Sequence, residues 1–312
     1  MQVTKWVACA VLLSACALET ADELNLKDEA LEQMGEVGEA LTHQQAFTPQ
    51  ESPNTAGAAA SYSTTGSLAN TGPFFESLGT NGRSCVHCHQ ADQGFSITPS
   101  RLAMTFVRTG GLDPVFRPVD GAISPTADVS TSTARRNAYN LLLARGVIRV
   151  GIGIPQNAEF DLTVVEDPAG YASARELSLF RRPLPSTNLR FNAALMWDGR
   201  ESTPGRSLDD ALLQQSVHAT VGHAQASAVP SPSQMRAIVD FESALSTAQI
   251  RDNLAGSLFD LVNDVLGGPK PLSSQPFYLG MNDAFQAGPK GEPFDPRVFT
   301  IFDCFDPLDS GS

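Results

Sequence analysis

The spacing of apolar side chains predicts a mainly helical chain with long irregular loops. Three segments have helical periodicity and begin or end at a recognisable capping residue: residues 132–145, residues 207–217, and residue 231 to about residue 253. Gly146 follows the first of these as a candidate C-terminal cap. Two other segments alternate in polarity and predict one small β-hairpin: residues 147–152 and 159–166.

The first residues have the pattern of an export signal. The apolar run 6–13 follows Lys5 and is too short to span a bilayer. It leads into Leu-Ser-Ala-Cys, which resembles a bacterial lipobox and predicts removal of residues 1–15 and acylation of Cys16. The alternative is an ordinary signal peptide with an incidental cysteine. Acyl chains contribute about 0.8 kcal/mol per buried methylene, so two or three of them hold a protein firmly at a membrane.

Residue 17 is alanine rather than aspartate, which gives no reason for retention in the inner membrane. We therefore expect a periplasmic protein that is lipid-anchored to the outer membrane. Residues 16–71 are predicted to be a tether and flexible linker, because residues 48–71 are rich in small and polar side chains. Residues 72–312 are then long enough to form one well-filled domain.

The composition limits which molecules the chain is expected to bind. The 312 residues carry a formal net charge of −13, which makes the chain a poor binder of nucleic acid. A redox partner of such a chain would present a basic face. Of the five cysteines, Cys9 leaves with the signal and Cys16 carries lipid. Two more belong to the motif described next, so Cys304 is left over and no disulfide framework is predicted.

Residues 85–89 have the sequence C-x-x-C-H, the attachment signal for a c-type haem. In such a site Cys85 and Cys88 form thioethers with the porphyrin, and His89 is the metal ligand. We predict one covalently attached haem c. A zinc site is an alternative, but no second C-x-x-C or H-x-x-x-H supplies two further ligands. A thioredoxin-like pair would follow a strand, whereas a turn precedes this motif. Chance occurrence is the third alternative.

Two further segments carry candidate chemistry. Trp197 stands beside an aspartate and an arginine, which suits an electron relay or a haem-propionate site. The competing interpretation is a salt bridge in a turn beside a buried indole. His218 and His223 are five residues apart and cannot share one helical face, so we expect at most one of them to face the haem. Such an imidazole serves as a distal ligand or as a proton shuttle.

Three segments together resemble the bacterial di-haem cytochrome c peroxidase family, which includes the MauG-like enzymes: LGTNGRSCVHCH at 78–89, NLRFNAALMWDGRE at 188–201 and VGHAQ at 221–225. The resemblance implies a cytochrome c-like helical domain around a peroxidatic haem, with a small redox protein as electron donor and hydrogen peroxide as substrate. It also implies catalytic roles for three residues. Trp197 matches the tryptophan between the two haems of that family, and Gln215 and His223 match polar groups over the peroxidatic iron.

The chain departs from that family in lacking a second C-x-x-C-H, since Cys304 has neither a partner cysteine nor a following histidine. It resembles the N-terminal haem half alone, either truncated or descended as a one-haem protein. Peroxide cleavage takes two electrons, which one iron does not store easily. We therefore keep two alternatives to a peroxidase-like oxidoreductase: a non-enzymatic mono-haem electron carrier and an inactive fragment. A tight sixth ligand favours the carrier, and Met104 and Met196 are candidates for it.

Overall fold

The computed structural model describes residues 50–258, 267–283 and 294–303. Their helices are α1 (Pro99–Thr109), α2 (Ser132–Ala138), α3 (Asn140–Arg145), α4 (Leu208–Gly222), α5 (Pro232–Ser243) and α6 (Pro269–Ser274). Their strands are β1 (Gln50–Asn54), β2 (Gly57–Ser63), β3 (Ile148–Ile152), β4 (Leu177–Arg181), β5 (Leu245–Asp252) and β6 (Gly256–Ser257). The strands form one four-stranded antiparallel sheet, in the order β1-β2-β5-β6, and one β3-β4 pair.

The expectation of a mainly helical, cytochrome c-like domain with a single small hairpin is wrong. Helical residues of all kinds make up 28% of the described chain and strand residues 15%, in six α-helices and two sheets. The larger sheet was not expected at all. It is built from residues 50–63, which were assigned to the linker, and from residues 245–257, most of which were assigned to a helix.

The first misassigned stretch folds as the hairpin β1–β2, so the linker prediction is wrong here and the folded part begins before residue 72. β2 has the sequence GAAASYS and pairs with β5 along its whole length. Ala58 and Ala60 are fully buried, and a β-carbon at Gly57 would overlap the carbonyl oxygen of Arg251. Small side chains allow this close approach of strands, although the same composition is typical of linkers.

The second misassigned stretch is β5, which lies where the third predicted helix was expected to continue. α5 ends at Ser243. The side chain of Asn188 then bonds both backbone groups of Thr247, at 2.8 and 3.0 Å, and so holds β5 extended. Asn188 is 59 residues away in the sequence. Local periodicity therefore contained no sign of the contact that decides the conformation.

Other elements agree with the sequence. The helix predicted over residues 132–145 is confirmed with one break at Tyr139, which is 1% exposed and donates its hydroxyl to the Phe116 carbonyl oxygen at 3.2 Å. Gly146 follows α3 with a φ of +63°, the left-handed conformation of a C-terminal cap. The hydroxyl of Ser207 accepts a backbone N–H from the first turn of α4, as the capping pattern predicted.

The predicted hairpin is half right. Residues 147–152 contain β3, but its partner is β4 instead of residues 159–166. The Arg149 guanidinium is buried and donates to Glu176 Oε1 at 2.7 Å and to Ser178 Oγ at 2.9 Å. Both acceptors lie at or within β4, so this pairing satisfies a buried cation.

Three clusters of buried apolar side chains form the core, and two of them contact the C-x-x-C-H motif. One packs against Cys88 and contains Ile97, Leu102, Phe106, Val115, Phe116, Ala122, Ala138, Tyr139 and Leu142. Another packs against Cys85 and contains Phe74, Phe95, Ile238 and Leu245. The third joins α4 to α5 through Leu189, Leu195, Ala211, Leu212 and Val239. The motif is therefore held between separate parts of the core.

Candidate functional site

A cavity of about 1430 Å³, counting its open mouth, lies beside the C-x-x-C-H turn. Six of the described residues that the sequence proposed for the haem site line it: Cys85, Cys88, His89, Trp197, Gln215 and His223. Apolar side chains fill much of the remaining wall, among them Leu78, Leu184, Leu189, Leu195, Leu212 and Ile238. An apolar cavity with a few convergent polar groups is the usual form of a cofactor site. The predicted signal peptide, Cys16 and Cys304 lie outside the described residues.

The motif itself is a tight turn. Cys85–His87 is a short 3-10 helix, and the N–H groups of Cys88 and His89 both return to the Cys85 carbonyl oxygen, at 3.1 and 2.9 Å. Burial raises the pKa of Cys85 to about 12 and that of Cys88 to about 11. Both thiols are therefore neutral. A thioredoxin-like pair instead needs a thiol with a depressed pKa, so the cysteine environment disfavours that alternative.

His89 is held as a neutral imidazole with a defined tautomer. Its Nδ1 lies 3.1 Å from the Phe95 carbonyl oxygen and 2.8 Å from Ser186 Oγ. Because a carbonyl only accepts, Nδ1 carries the proton and Nε2 keeps its lone pair. Burial lowers the pKa of His89 to about 4, although the hydrogen bond that its Nδ1 donates to the Phe95 carbonyl oxygen acts to raise the pKa. A neutral histidine that donates through one nitrogen and is lone-paired at the other is the form that ligates a metal.

His223 is held by a different arrangement at the C-terminal end of α4. Its Nδ1 lies 2.6 Å from Asp120 Oδ2, and both oxygens of that carboxylate lie 2.6 Å from Arg83 Nη1. Burial acts to raise the pKa of Asp120, but the Arg83 guanidinium and His223 outweigh it and hold the pKa below its usual value. Asp120 is therefore an ionised carboxylate directly behind a cavity-lining imidazole.

Arg83 and Asp120 are not among the site residues predicted from the sequence. Arg83 is 2% exposed and also donates to the carbonyl oxygens of Pro114 and Val115, at 3.0 and 2.8 Å. It precedes the motif by two residues, so it ties the cysteine turn to the His223 side of the cavity. Its position beside the motif was the available signal. Asp120 lies in a loop rich in proline and glycine, and the sequence contains no sign of its burial.

Trp197 lies at the cavity but is 59% exposed, so the interpretation as a buried indole is wrong. Its Nε1 donates to the carbonyl oxygen of Arg182 at 2.8 Å. The salt bridge of the same interpretation is present, because Asp198 accepts from Arg200 at 3.0 Å and also from Arg181 at 2.9 Å. Three arginines thus line the cavity close to the tryptophan: Arg181, Arg182 and Arg200.

Of the two histidines of the α4 region, only His223 lines the cavity. His218 instead bonds Glu201 Oε1 through Nδ1, at 2.8 Å, and Gln214 through Nε2, also at 2.8 Å. The five-residue spacing predicted this separation. Met196 lines the cavity and Met104 does not.

Glu242 is a further titratable cavity residue that the sequence did not identify. It lies in the last turn of α5, is 7% exposed, and lines the cavity. Burial raises the pKa of Glu242 to about 7, although a hydrogen bond from Ser186 lowers it. A carboxyl directly after Phe241, inside a predicted apolar stripe, was the signal that could have found it.

No protein-family profile, curated protein or solved structure matches this chain. The resemblance to di-haem peroxidases therefore stays a prediction. Within the described residues, no three or more histidine, cysteine, aspartate or glutamate side chains are grouped so that they could hold a metal ion among them. The described part of the chain also contains no helix with the length and apolar character needed to cross a membrane.

Proposed function

We propose that this chain is a c-type haem-binding redox protein of the bacterial cell envelope, which transfers electrons and reduces hydrogen peroxide. The observation that carries the proposal is the state of His89. It is half-buried, neutral and lone-paired at Nε2, and it lines an apolar cavity together with two neutral thiols that form no disulfide. Cys85 and Cys88 would hold the haem through thioethers and His89 would ligate its iron.

When bound, haem supplies one-electron redox chemistry and an iron site at which peroxide can bind. The chain's own contribution is proton handling by His223. Asp120 accepts a hydrogen bond from the Nδ1–H group of His223. The lone pair on Nε2 can therefore take a proton from a hydroperoxide in the cavity. The ionised Asp120 stabilises the resulting imidazolium, and Arg83 keeps that carboxylate charged. Gln215 offers a second polar group in the wall.

A mono-haem electron carrier is the second candidate, and Met196 favours it. Met196 lines the cavity with a φ of +68°, a conformation that costs a non-glycine residue about 1–3 kcal/mol. Strained residues of this kind cluster at ligand sites. A methionine thioether on the iron would raise its potential and block peroxide.

The first experiment asks whether the chain carries haem. The full chain is exported in a host that matures c-type cytochromes, and its absorption spectrum and mass are recorded. We expect a Soret band and the added mass of one haem, both lost in the Cys85→Ser/Cys88→Ser variant. Cys304→Ser is the matched control and keeps both. A mature protein without a Soret band or haem mass would contradict the proposal.

The second experiment separates the two functions. A high-spin ferric spectrum that changes on adding peroxide supports peroxide reduction, whereas a six-coordinate low-spin spectrum that ignores peroxide supports the carrier. In the first case we expect His223→Ala to slow the peroxide reaction by about 100-fold or more. His218→Ala is the control, because that imidazole also bonds a buried carboxylate but does not line the cavity.

The cellular location is part of the proposal. The lipobox-like sequence supports a lipid anchor at Cys16 on the periplasmic side, and the net charge of −13 supports a small donor protein with a basic face and no nucleic-acid partner. We expect Cys16→Ala to move the protein from the membrane fraction to the soluble fraction. Persistence in the membrane fraction would contradict the anchor.

A further inference from the structure

We propose that Asn81 is a positioning residue for His223, which fixes the end of α4 to the loop that leads into the C-x-x-C-H motif. The proposal rests on the proposed function, since it concerns the imidazole that would take the peroxide proton. His223 directly follows the last residue of α4, where backbone carbonyl groups have no partner within the helix. The placement of His223 at the cavity therefore depends on what satisfies those groups.

The carbonyl groups at the end of α4 are satisfied by the loop that precedes the motif. The Asn81 side-chain amide donates to the His223 carbonyl oxygen at 2.8 Å. The Thr80 backbone N–H donates to the Ala224 carbonyl oxygen at 3.1 Å, and the Thr80 hydroxyl donates to the Gln225 carbonyl oxygen at 2.8 Å. Three consecutive carbonyl groups are thus bound by two adjacent residues of one loop.

Asn81 is itself held in place. Its Oδ1 accepts the Arg83 backbone N–H at 3.1 Å, which closes a turn just before the motif, and its carbonyl oxygen accepts from the Arg117 guanidinium at 2.7 Å. Its Nδ2 also donates to Gln225 Oε1 at 3.2 Å. Gln225 has a φ of +55°, a conformation that a non-glycine residue keeps only where its surroundings impose it. The Asn81 amide is part of those surroundings.

His223 is therefore held at both its ring and its backbone. Its Nδ1 lies 2.6 Å from Asp120 Oδ2, and its carbonyl oxygen accepts from Asn81 at 2.8 Å and from Arg83 at 3.3 Å. The ring bond fixes one atom of the imidazole, whereas both attachments together fix the position and the tilt of the ring. Proton transfer needs an approach of about 3 Å, so this placement matters for the reaction.

Removing the amide donor should slow the reactions in which His223 takes a proton. Peroxide and hydrogen cyanide each lose a proton on binding to ferric haem, whereas carbon monoxide binds to ferrous haem without proton transfer. We expect Asn81→Asp and Asn81→Ala to slow the first two reactions about tenfold, since a displacement of about 1 Å can cost about 100-fold. Carbon monoxide binding and the reduction potential should stay unchanged, because neither requires a proton to reach His223.

The experiment is a stopped-flow comparison of the full haem-loaded chain and these variants. Asn81→Asp keeps the acceptor for the Arg83 N–H, which guards against a variant that merely loses the turn. Asn54→Asp is the matched control and should change none of the rates. Asn54 likewise accepts the N–H two residues further on and donates to a glutamine side chain, each at 3.0 Å, but these partners belong to the β1–β2 turn and to β5.

The outcomes separate this role from the proposed function. Unchanged peroxide and cyanide rates in haem-loaded Asn81→Asp, or an equal loss in carbon monoxide binding, would overturn the positioning role alone. Loss of haem from both Asn81 variants would also overturn it, because the side chain would then be needed for folding. An unsubstituted chain that carries no haem or does not react with peroxide would overturn the proposed function and this role together.

Discussion

The two histidines of the cavity have the same local bond and opposite electrostatic surroundings. Each donates its Nδ1 proton to an oxygen. For His223 that oxygen belongs to Asp120, an acid at 2.6 Å that is paired with the buried Arg83. For His89 the partners are the Phe95 carbonyl oxygen and Ser186 Oγ, and the acid in the same cavity is Glu242, which takes part in no ion pair of the described residues.

This difference sets the charge that each imidazole meets at neutral pH. Arg83 and His223 hold the pKa of Asp120 below its usual value despite its burial, so His223 always faces a full negative charge. Burial raises the pKa of Glu242 to about 7, so this cavity carboxyl, whose charge acts on Cys85 of the motif, is half neutral at that pH. A fixed negative charge stabilises a protonated imidazole, whereas a weaker one preserves the neutral form. Under the proposed function, this difference favours His223 for proton transfer and His89 for ligation.

The largest expected loss of stability follows from removing the Arg83 cation, which lies on the His223 side of the cavity. Arg83→Leu leaves Asp120 buried and unpaired, which should cost about 3–5 kcal/mol in the free energy of unfolding, measured by urea denaturation. Arg101→Leu is the control, because Arg101 and Asp92 are partly exposed and 3.4 Å apart, and it should cost about 1 kcal/mol or less. Adding Asp120→Asn to Arg83→Leu should recover part of the loss. A loss below 1 kcal/mol for Arg83→Leu would refute the charge-pair account.

The next prediction concerns Glu242 and the pH dependence of the free energy of unfolding. Glu242 has a usual pKa of 4.5, raised by burial to about 7. Between these values the folded chain keeps a proton that the unfolded chain has lost, so the free energy of unfolding falls as pH rises. The drop from Glu242 should approach about 3 kcal/mol and level off above about pH 7. Urea unfolding at several pH values should therefore show a smaller fall in Glu242→Gln, and parallel curves for the two proteins would contradict this.

A smaller effect is expected from a substitution at Gly79, which should perturb only the His223 side of the cavity. A β-carbon at Gly79 would overlap the Ala224 carbonyl oxygen, and the next residues of this loop bond the backbone of residues 223–225. Gly79→Ala should cost about 1–3 kcal/mol and slow the peroxide reaction, without changing the reduction potential set at His89. Gly222→Ala meets no atom within 4 Å and should cost nothing. A shift in potential for Gly79→Ala would show that the two sides are not independent.

The features of this site that the sequence predicted are those that depend on residues close together in the chain. The Gly146 cap, the Ser207 cap and the separation of His218 from His223 follow from spacing within a few residues, and the structure agrees with each. The convergence of Gln215 and His223 on one cavity with the motif came from the family resemblance rather than from periodicity.

What the sequence did not predict rests on contacts between distant residues. Asn188 holds β5 extended from 59 positions away, and Asp120 meets His223 across 103 positions. The buried Arg149 selects β4 over residues 159–166 as the partner of β3. In each case a buried or half-buried polar group is satisfied by a partner far away in the sequence, and that requirement overrides local pattern.

The smallest expected effect concerns Trp197, which resemblance alone made a catalytic candidate. Its indole is 59% exposed and donates a hydrogen bond to a backbone oxygen. Trp197→Phe should therefore change the free energy of unfolding by about 0.5 kcal/mol or less. Neither histidine contacts it through a hydrogen bond. The reduction potential and the direct reaction with peroxide should therefore stay unchanged. Slower reduction by a donor protein, with both of those preserved, would instead give the exposed indole a role in electron entry.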